Sequence, residues 1–195
     1  MGLTDALLAA VHRAHRPRQT MRFADIAWGD SPRTVENKLR AAGFTPGEHD
    51  GDDVGFTGTY ASYDGHGWVY MSRRRAVKVM FVIRPEPDQV LGAYDWIDRL
   101  LVRQYGRTPH RVESFMAPYA SGDGRELEAL RAGKATIAAA WKEGEDGTPL
   151  RAADPGVILR ATSDLAVRLS YESAAWGAEA ERRKASAPAA GSASR

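Results

Sequence analysis

The segment 90–109, VLGAYDWIDRLLVRQYGRTP, constrains the fold more than any other part of the chain. Its apolar residues recur at intervals of three and four, which is the spacing of one helical face. Gly106 is a suitable left-handed cap and Pro109 cannot continue a helix, so we expect the helix to end there. Strands on either side of this helix have to form a sheet that covers its apolar stripe. The stripe consists of Tyr94, Trp96, Ile97, Leu100, Leu101 and Tyr105.

The chain before this helix predicts one further helix and several strands. Ser31 and Pro32 are an N-cap followed by proline at the first helical position, and Gly43 ends that helix. Asp64-Gly65 is a tight hairpin signal between two strand-like runs. Strands are expected at 22–28, 54–63, 67–73 and 76–84, with a polar loop at 49–53.

The chain after the helix repeats the pattern of short helix and strands. Alternating residues between 157 and 172 predict a hairpin, and Gly133 ends a short helix that begins near Arg125. Two more strands are expected at 110–117 and 134–143, and a turn-rich loop at 144–156.

This order of elements predicts an α+β fold. Few strands are separated by crossover helices, so we expect a mostly antiparallel sheet of about six to eight strands with two main helices packed on one face. The order also allows two successive helix-then-meander units. We expect an N-terminal helical arm and linker at 1–20, a single domain at 21–176, and a frayed helix with a disordered tail at 177–195.

Composition excludes several classes of protein. The 27 basic and 25 acidic residues give a formal net charge of +2, so a nucleic-acid partner is not expected on global charge. Cysteine is absent, which excludes disulfides and thiolate zinc sites. No run approaches the roughly 18 apolar residues of a membrane helix. The first residues lack the features of a signal peptide, so we expect the cytoplasm, or the periplasm where a leader has been removed.

Motifs for catalysis or cofactor binding are missing from the sequence. It holds no phosphate-binding loop, nucleophile elbow, HExxH helix or dinucleotide fingerprint. The carboxylates at 48–53 lack the spacing of a calcium loop and indicate a solvated surface loop. His12 and His15 have helical spacing but no third ligand. We therefore expect no catalytic residue, no metal, no cofactor and no enzymatic activity.

Two stretches carry a resemblance to a known group of proteins. Residues 23–44 read F-A-D-I-A-W-G-D-S-P-x-x-V-x-x-x-L-x-x-x-G-F, and residues 100–109 read L-L-x-x-Q-Y-G-x-T-P. This pattern resembles small bacterial α+β domains with a BamE-like or beta-lactamase-inhibitor-like layout, and the likeness covers about residues 23–172. The resemblance implies a lipoprotein, an inhibitor, an assembly factor or a protein of unknown function. This chain lacks the lipidated cysteine of the lipoprotein members.

An aromatic hairpin beside an arginine run is the candidate binding surface. Arginine and aromatic residues are enriched in protein interfaces, although cross-strand stacking and a solvated hairpin also explain the pattern. The first hypothesis is therefore a non-catalytic binding or scaffold protein that engages a protein partner through the sheet face or the 60–75 hairpin. The candidate residues are Tyr60, Tyr63, Trp68, Tyr70, Arg73, Arg74 and Arg75.

Two other hypotheses remain open. The second is a small-molecule-binding domain or an unrecognised enzyme, with a ligand between sheet and helix and polar groups such as Asp25, Asp95, Arg99 or Glu113. The third is nucleic-acid binding through the run 73–75, supported by Arg33, Lys38 and Arg40. The sequence predicts no particular oligomeric state.

Overall fold

The computed structural model describes residues 21–108, 110–142 and 154–186. The helices in these ranges are α1 (Pro32–Ala41), α2 (Val90–Tyr105), α3 (Glu126–Arg131) and α4 (Trp176–Ser186), with a 3-10 turn at Pro87–Gln89. The strands are β1 (Thr45–Asp50), β2 (Asp53–Tyr60), β3 (Tyr63–Ser72), β4 (Arg75–Ile83), β5 (His110–Phe115), β6 (Ala135–Lys142), β7 (Gly156–Ala161) and β8 (Val167–Glu172). The predicted arm at 1–20, most of the predicted loop at 144–156 and the tail at 187–195 lie outside the described residues.

The eight described strands form one sheet in the order β1-β2-β3-β4-β8-β7-β6-β5. Each neighbouring pair is antiparallel. The halves β1–β4 and β5–β8 meet where β4 pairs with β8, with Val79 opposite Tyr171 and Phe81 opposite Leu169. Strands β1 and β5 are left as the two edges. The prediction of an α+β fold with a mostly antiparallel sheet is confirmed.

Helix α1 begins and ends where its sequence signals predict. The Ser31 side chain accepts a hydrogen bond from the amide of Thr34 at 3.3 Å, and Pro32 occupies the first turn. Val35 and Leu39 are fully buried on its inner face. The chain leaves the helix through Gly43, whose φ of 85° favours glycine.

Helix α2 lies against β7 and β8. Gly106 ends it with a φ of 87° and donates its amide hydrogen to the carbonyl oxygen of Val102. Trp96 belongs to the predicted apolar stripe but is 38% exposed, so the side of the helix that carries it does not face the sheet. The buried residues of α2 are Val90, Ala93, Tyr94, Ile97 and Leu101.

The predicted strand at 22–28 is wrong. Ala24 and Asp25 have φ angles of 49° and 57°, which an extended strand does not contain. The segment forms turns instead and places the Phe23 ring, 3% exposed, in the centre of an aromatic cluster. The rings of Phe44, Phe56, Tyr60, Phe81 and Tyr171 lie 5.1–5.8 Å from that of Phe23.

The predicted hairpin turn at Asp64-Gly65 is also wrong. The β2–β3 turn lies at Ala61 and Ser62, because Tyr60 pairs with Tyr63. Both turn residues have positive φ angles, 54° and 72°, as a type I′ turn requires. Gly65 lies within β3, where an added Cβ would be 2.5 Å from the Val82 carbonyl oxygen. That glycine therefore permits close strand packing rather than a turn.

The predicted polar loop at 49–53 is in part an edge strand. Strand β1 extends through His49 to Asp50, and Asp53 already belongs to β2. Only the tip between them is a turn, with Gly51 at a φ of 59°. All residues of β1 except Pro46 are exposed, so the strand lacks the apolar alternation that would have revealed it.

Helix α4 packs against the sheet face opposite to the aromatic cluster. Tyr70 and Lys78 alternate with the core residues Val69 and Val79, so their side chains lie on that second face. The Trp176 ring lies 5.3 Å from the Tyr70 ring, and the Lys78 ammonium lies 4.3 Å from the Trp176 ring centre. An aromatic and cation–π cluster therefore anchors the start of the helix.

Partly buried ion pairs hold the rest of α4 on the sheet. Arg183 donates to both carboxylate oxygens of Asp53, at 2.6 and 2.9 Å, and to the carbonyl oxygen of Met71 at 2.6 Å. Its Nε also donates to Glu179, a residue that is 4% exposed. The end of α4 is thus fastened to the beginning of β2 and the end of β3.

Acid is expected to weaken this attachment of α4. Hydrogen bonds from Arg182 and Arg183 lower the pKa of Glu179 from 4.5 to about 2, against the opposing effect of burial. A carboxyl whose folded pKa lies below its unfolded pKa stabilises the fold above the unfolded value. This stabilisation, on the order of 2 kcal/mol, is lost as the pH falls from about 5 to about 2.

The measurement is the thermal unfolding midpoint as a function of pH, for the wild type and for Glu179→Gln. We expect the variant to be less stable at neutral pH and to lose less stability between about pH 5 and pH 2. Some acid sensitivity should persist, because hydrogen bonds from Thr162 and, to a lesser extent, from Arg84 and Arg168 lower the pKa of Asp164 to about 2 as well. Parallel curves for the two proteins would contradict the role given to Glu179.

No helix within the described residues is long and apolar enough to cross a membrane.

Candidate functional site

The predicted aromatic residues of the 60–75 hairpin lie on both faces of the sheet. Tyr60 and Tyr63 pack against the hydrophobic core. Trp68 and Tyr70 alternate with core residues of β3 and therefore lie on the second face. The four rings do not form one surface, because side chains one residue apart on a strand point in opposite directions.

The arginine run at the β3–β4 turn is partly engaged within the protein. Arg73 and Arg74 form the turn, with φ angles of 50° and 61°. Arg74 lies 3.4 Å from Asp52, and Arg75 donates to the carbonyl oxygen of Gly29 at 2.9 Å. Asp52 therefore compensates one of the three charges, and all three arginines remain exposed.

The space between α2 and the sheet is filled by side chains. Tyr171 is 2% exposed and belongs to the hydrophobic core, against which Tyr60 and Tyr105 pack. Burial raises the pKa of all three phenols, so they remain neutral at physiological pH. These rings are part of the core that α2 covers.

A groove on the outer side of α2 is the more informative feature. It has a volume of about 630 Å³ and lies between α2 and the segment that leads into β5. Four arginines and one aspartate line it, in a chain whose formal net charge is only +2. The lining residues are Trp96, Asp98, Arg99, Val102, Arg103, Arg107, Thr108 and Arg111. We call this feature the arginine groove.

Helical geometry places two of these arginines beside the exposed tryptophan. Trp96, Arg99 and Arg103 are three and four residues apart on α2 and therefore share one face. The guanidinium carbons of Arg99 and Arg103 lie 5.7 and 5.5 Å from the Trp96 ring centre. The ring thus holds two cations at the mouth of the groove through cation–π attraction.

A hydrogen bond fixes the Trp96 ring. Its Nε1 donates to the carbonyl oxygen of Ala61, in the β2–β3 turn, at 3.1 Å. This contact brings the tip of the 60–75 hairpin to the rim of the arginine groove. The hairpin and the groove are therefore neighbours on one surface.

The single carboxylate in the lining is already occupied. Arg111 donates through Nη2 to both oxygens of Asp98, at 2.7 and 2.9 Å. Arg99, Arg103 and Arg107 form no ion pair with any described residue, and all three are exposed. Uncompensated positive charge is thus concentrated on one side of the groove.

The surroundings of a second acidic residue near the groove, Asp95, shift its pKa upward. Burial raises the pKa of Asp95, the charge of Arg99 opposes that rise, and Asp98 and Glu113 reinforce it. The same surroundings raise the pKa of Tyr94 well above its usual value. Thr108 donates its hydroxyl hydrogen to the Ala140 carbonyl oxygen and accepts one from the His110 amide. The four arginines make the lining suited to hold an anion, and the lining contains no nucleophile paired with a base.

The sequence motifs do not predict the arginine groove as a unit. Of the polar groups that the sequence suggests for a small-molecule site, Arg99 lines the groove, Asp95 and Glu113 lie near it, and Asp25 lies outside the lining. A usable signal was present, because the four arginines recur every four residues from position 99 to position 111. The recurrence runs through the end of a helix into a strand, so helical periodicity alone does not predict that the four converge.

No described group of three or more histidine, aspartate and glutamate residues is arranged to hold a metal ion. Comparison with family models, curated proteins and solved structures finds no match. The fold and the groove define an α+β protein with a cationic surface site.

Proposed function

We propose that this protein is a non-catalytic binding protein that holds an acidic segment of a protein partner in the arginine groove. The observation that carries the proposal is the set Arg99, Arg103 and Arg107, which lack carboxylate partners among the described residues and line one groove. An acidic segment would supply the missing carboxylates. The proposed contact extends to the neighbouring 60–75 hairpin through Ala61 and Trp96.

The chemistry of arginine supports a carboxylate ligand. A guanidinium presents its hydrogen-bond donors in a planar fork that matches a carboxylate, and such charge-assisted pairs are about twice as strong as neutral ones. Trp96 and Val102 add apolar surface beside the charges. Tryptophan and arginine are the residue types that most often carry the binding energy of protein interfaces.

Nucleic acid fits the groove less well. Binding of single strands depends on aromatic faces that are free to stack with bases, whereas Trp96 has two guanidiniums over its ring and its Nε1 engaged. Asp98 also places a negative charge in the lining. The small net charge of the chain supplies no wider electrostatic attraction.

A second proposal concerns the placement of the helices and the division of the sheet into two units. We infer that α1 and α2 cover one face of the sheet, because their buried residues join a single hydrophobic cluster. The order of the strands supports two helix-then-meander units that meet between β4 and β8. The resemblance to BamE-like and beta-lactamase-inhibitor-like domains stays a prediction and agrees with a binding function.

The test is binding of a fluorescein-labelled poly-L-glutamate peptide, measured by fluorescence anisotropy. The double substitution Arg99→Gln and Arg103→Gln should weaken binding by roughly tenfold or more, because it removes two charge-assisted contacts and retains much of the side-chain volume. The wild-type affinity should also decrease with added salt.

The matched control is the double substitution Arg33→Gln and Arg160→Gln. It removes the same charge from two exposed arginines outside the groove, and we expect binding close to that of the wild type. An equal loss of affinity in the two double variants would show that binding depends only on net charge, and it would overturn the proposal. Tighter binding of a single-stranded oligonucleotide than of the peptide would overturn it as well.

A further inference from the structure

The two edges of the sheet differ in how they are protected from pairing. Strand β1 contains Pro46 and a break in its pairing register between Pro46 and His49, and both features discourage another strand from adding to it. Strand β5 pairs with β6 without interruption from His110 to Phe115 and contains neither proline nor glycine. β5 is therefore the edge that can accept a further strand.

The hydrogen-bonding pattern shows which backbone groups of β5 face outward. The Met116 amide donates to the Lys134 carbonyl oxygen at 2.8 Å, so even-numbered residues here point toward β6. Arg111, Glu113 and Phe115 consequently direct their backbone N–H and C=O groups away from the sheet. No other described segment forms a hydrogen bond to these groups.

We propose that a second copy of this chain pairs with β5 in the antiparallel direction, with the two-fold axis at Val112. In this register Arg111 lies opposite the partner's Glu113, and Glu113 lies opposite the partner's Arg111. These two positions also exchange the outward backbone hydrogen bonds. The edge is thus complementary to itself both in charge and in hydrogen bonding, as an isologous interface requires.

The side chains support this register on both faces of the sheet. Val112 is 49% exposed and packs against its counterpart on the second face. On the opposite face, Arg111 uses only Nη2 to hold Asp98, so its Nε and Nη1 remain for the partner's Glu113. The Oε2 atom of Glu113 remains as well, because Ser121 donates to Oε1.

Register and partner are both specified by these contacts. A shift of one residue would move Val112 opposite a charged residue and place the outward amides out of phase. A short six-residue strand buries little area, so a weak dimer in the micromolar range is expected. The dimer and the groove share Arg111, whereas Glu113 is not part of the groove lining. Glu113→Arg therefore tests the dimer separately from the proposed function.

The experiment is sedimentation velocity over a concentration series. The wild type should change from monomer to dimer, and Glu113→Arg should weaken the association by about tenfold because two attractive pairs become repulsive. Arg111→Glu should weaken it similarly. A mixture of the two variants should associate again, since each Arg–Glu pair is restored between unlike chains.

A matched control places the same charge change on the other edge. Glu48→Arg in β1 should leave the association unchanged. Wild-type protein that stays monomeric at all concentrations would overturn the inference. It would also be overturned if the mixture of the Glu113→Arg and Arg111→Glu variants associated no better than each variant by itself. A monomeric Glu48→Arg variant, with both β5 variants still dimeric, would overturn it as well.

Discussion

Replacing Gly67 with alanine should lower the free energy of unfolding by about 3 kcal/mol, because the new methyl group has no space in the centre of the sheet. An added Cβ would lie 2.4 Å from Cζ of Phe56 and 2.5 Å from the carbonyl oxygen of Met80. The Met80 carbonyl belongs to β4 and is held by the sheet. The Phe56 ring stacks on Phe81 at 5.7 Å, so its movement would disturb the aromatic cluster.

Urea unfolding followed by circular dichroism measures this change, and Gly92→Ala is the control. Gly92 is exposed in α2, and no atom lies within 4 Å of its Cβ position. Alanine there should raise stability by about 0.5–1 kcal/mol, since it favours the helix. The two glycine-to-alanine changes are thus expected to have opposite signs. A neutral effect at Gly67 would mean that Phe56 can move at little cost.

Gly65 shows why a local sequence pattern does not locate the β2–β3 turn. A glycine after an aspartate indicates a turn when only neighbours in the sequence are considered. Val82 and the Phe81 ring, distant in sequence, occupy the space that a Cβ at Gly65 would need, so this glycine meets a packing requirement within β3. Close packing between strands is a tertiary effect, so the location of this hairpin could not be predicted from the local pattern.

Elements whose signals are local were predictable. The capping residues of α1 and the end of α2 at Gly106 act within a few residues of the chain. Strand β4 is largely buried and rich in β-branched residues, and the buried residues of β8 alternate with more exposed ones, which makes both strands recognisable. The turns at 22–28 depend on the insertion of Phe23 into a core assembled from distant segments, and no local signal encodes that contact.

The arginine groove shows the same limit for function. Each of its arginines is visible in the sequence, yet Arg107 and Arg111 join Arg99 and Arg103 only because the chain turns back after Gly106. The Trp141 indole donates to the Gly106 carbonyl oxygen at 2.8 Å, and it comes from a strand 35 residues later. A contact of long sequence separation therefore orients the segment that completes the site.

Removing the buried ion pair between Asp53 and Arg183 should have the second large effect on stability. Asp53→Ala leaves the Met71 amide without its 2.7 Å acceptor and leaves Arg183 without its carboxylate. We expect a loss of about 2–3 kcal/mol. The loss stays below the roughly 3–5 kcal/mol of a fully buried pair, because the Arg183 side chain is 32% exposed and can turn toward water.

Arg183→Ala should cost at least as much as Asp53→Ala, because it leaves the Asp53 carboxylate, only 8% exposed, without its cation. The double substitution should cost less than the sum of the two, since neither charge then remains alone. Arg182→Ala is the comparison in the same helix: its side chain is 62% exposed and Glu179 keeps its pair with Arg183 after the change, so the loss should be about 1 kcal/mol and smaller than that of Arg183→Ala. Thermal and urea unfolding measure all four variants. Additive losses at Asp53 and Arg183 would show that the two residues stabilise the protein independently and that α4 is held by its aromatic contacts with Tyr70 and Lys78.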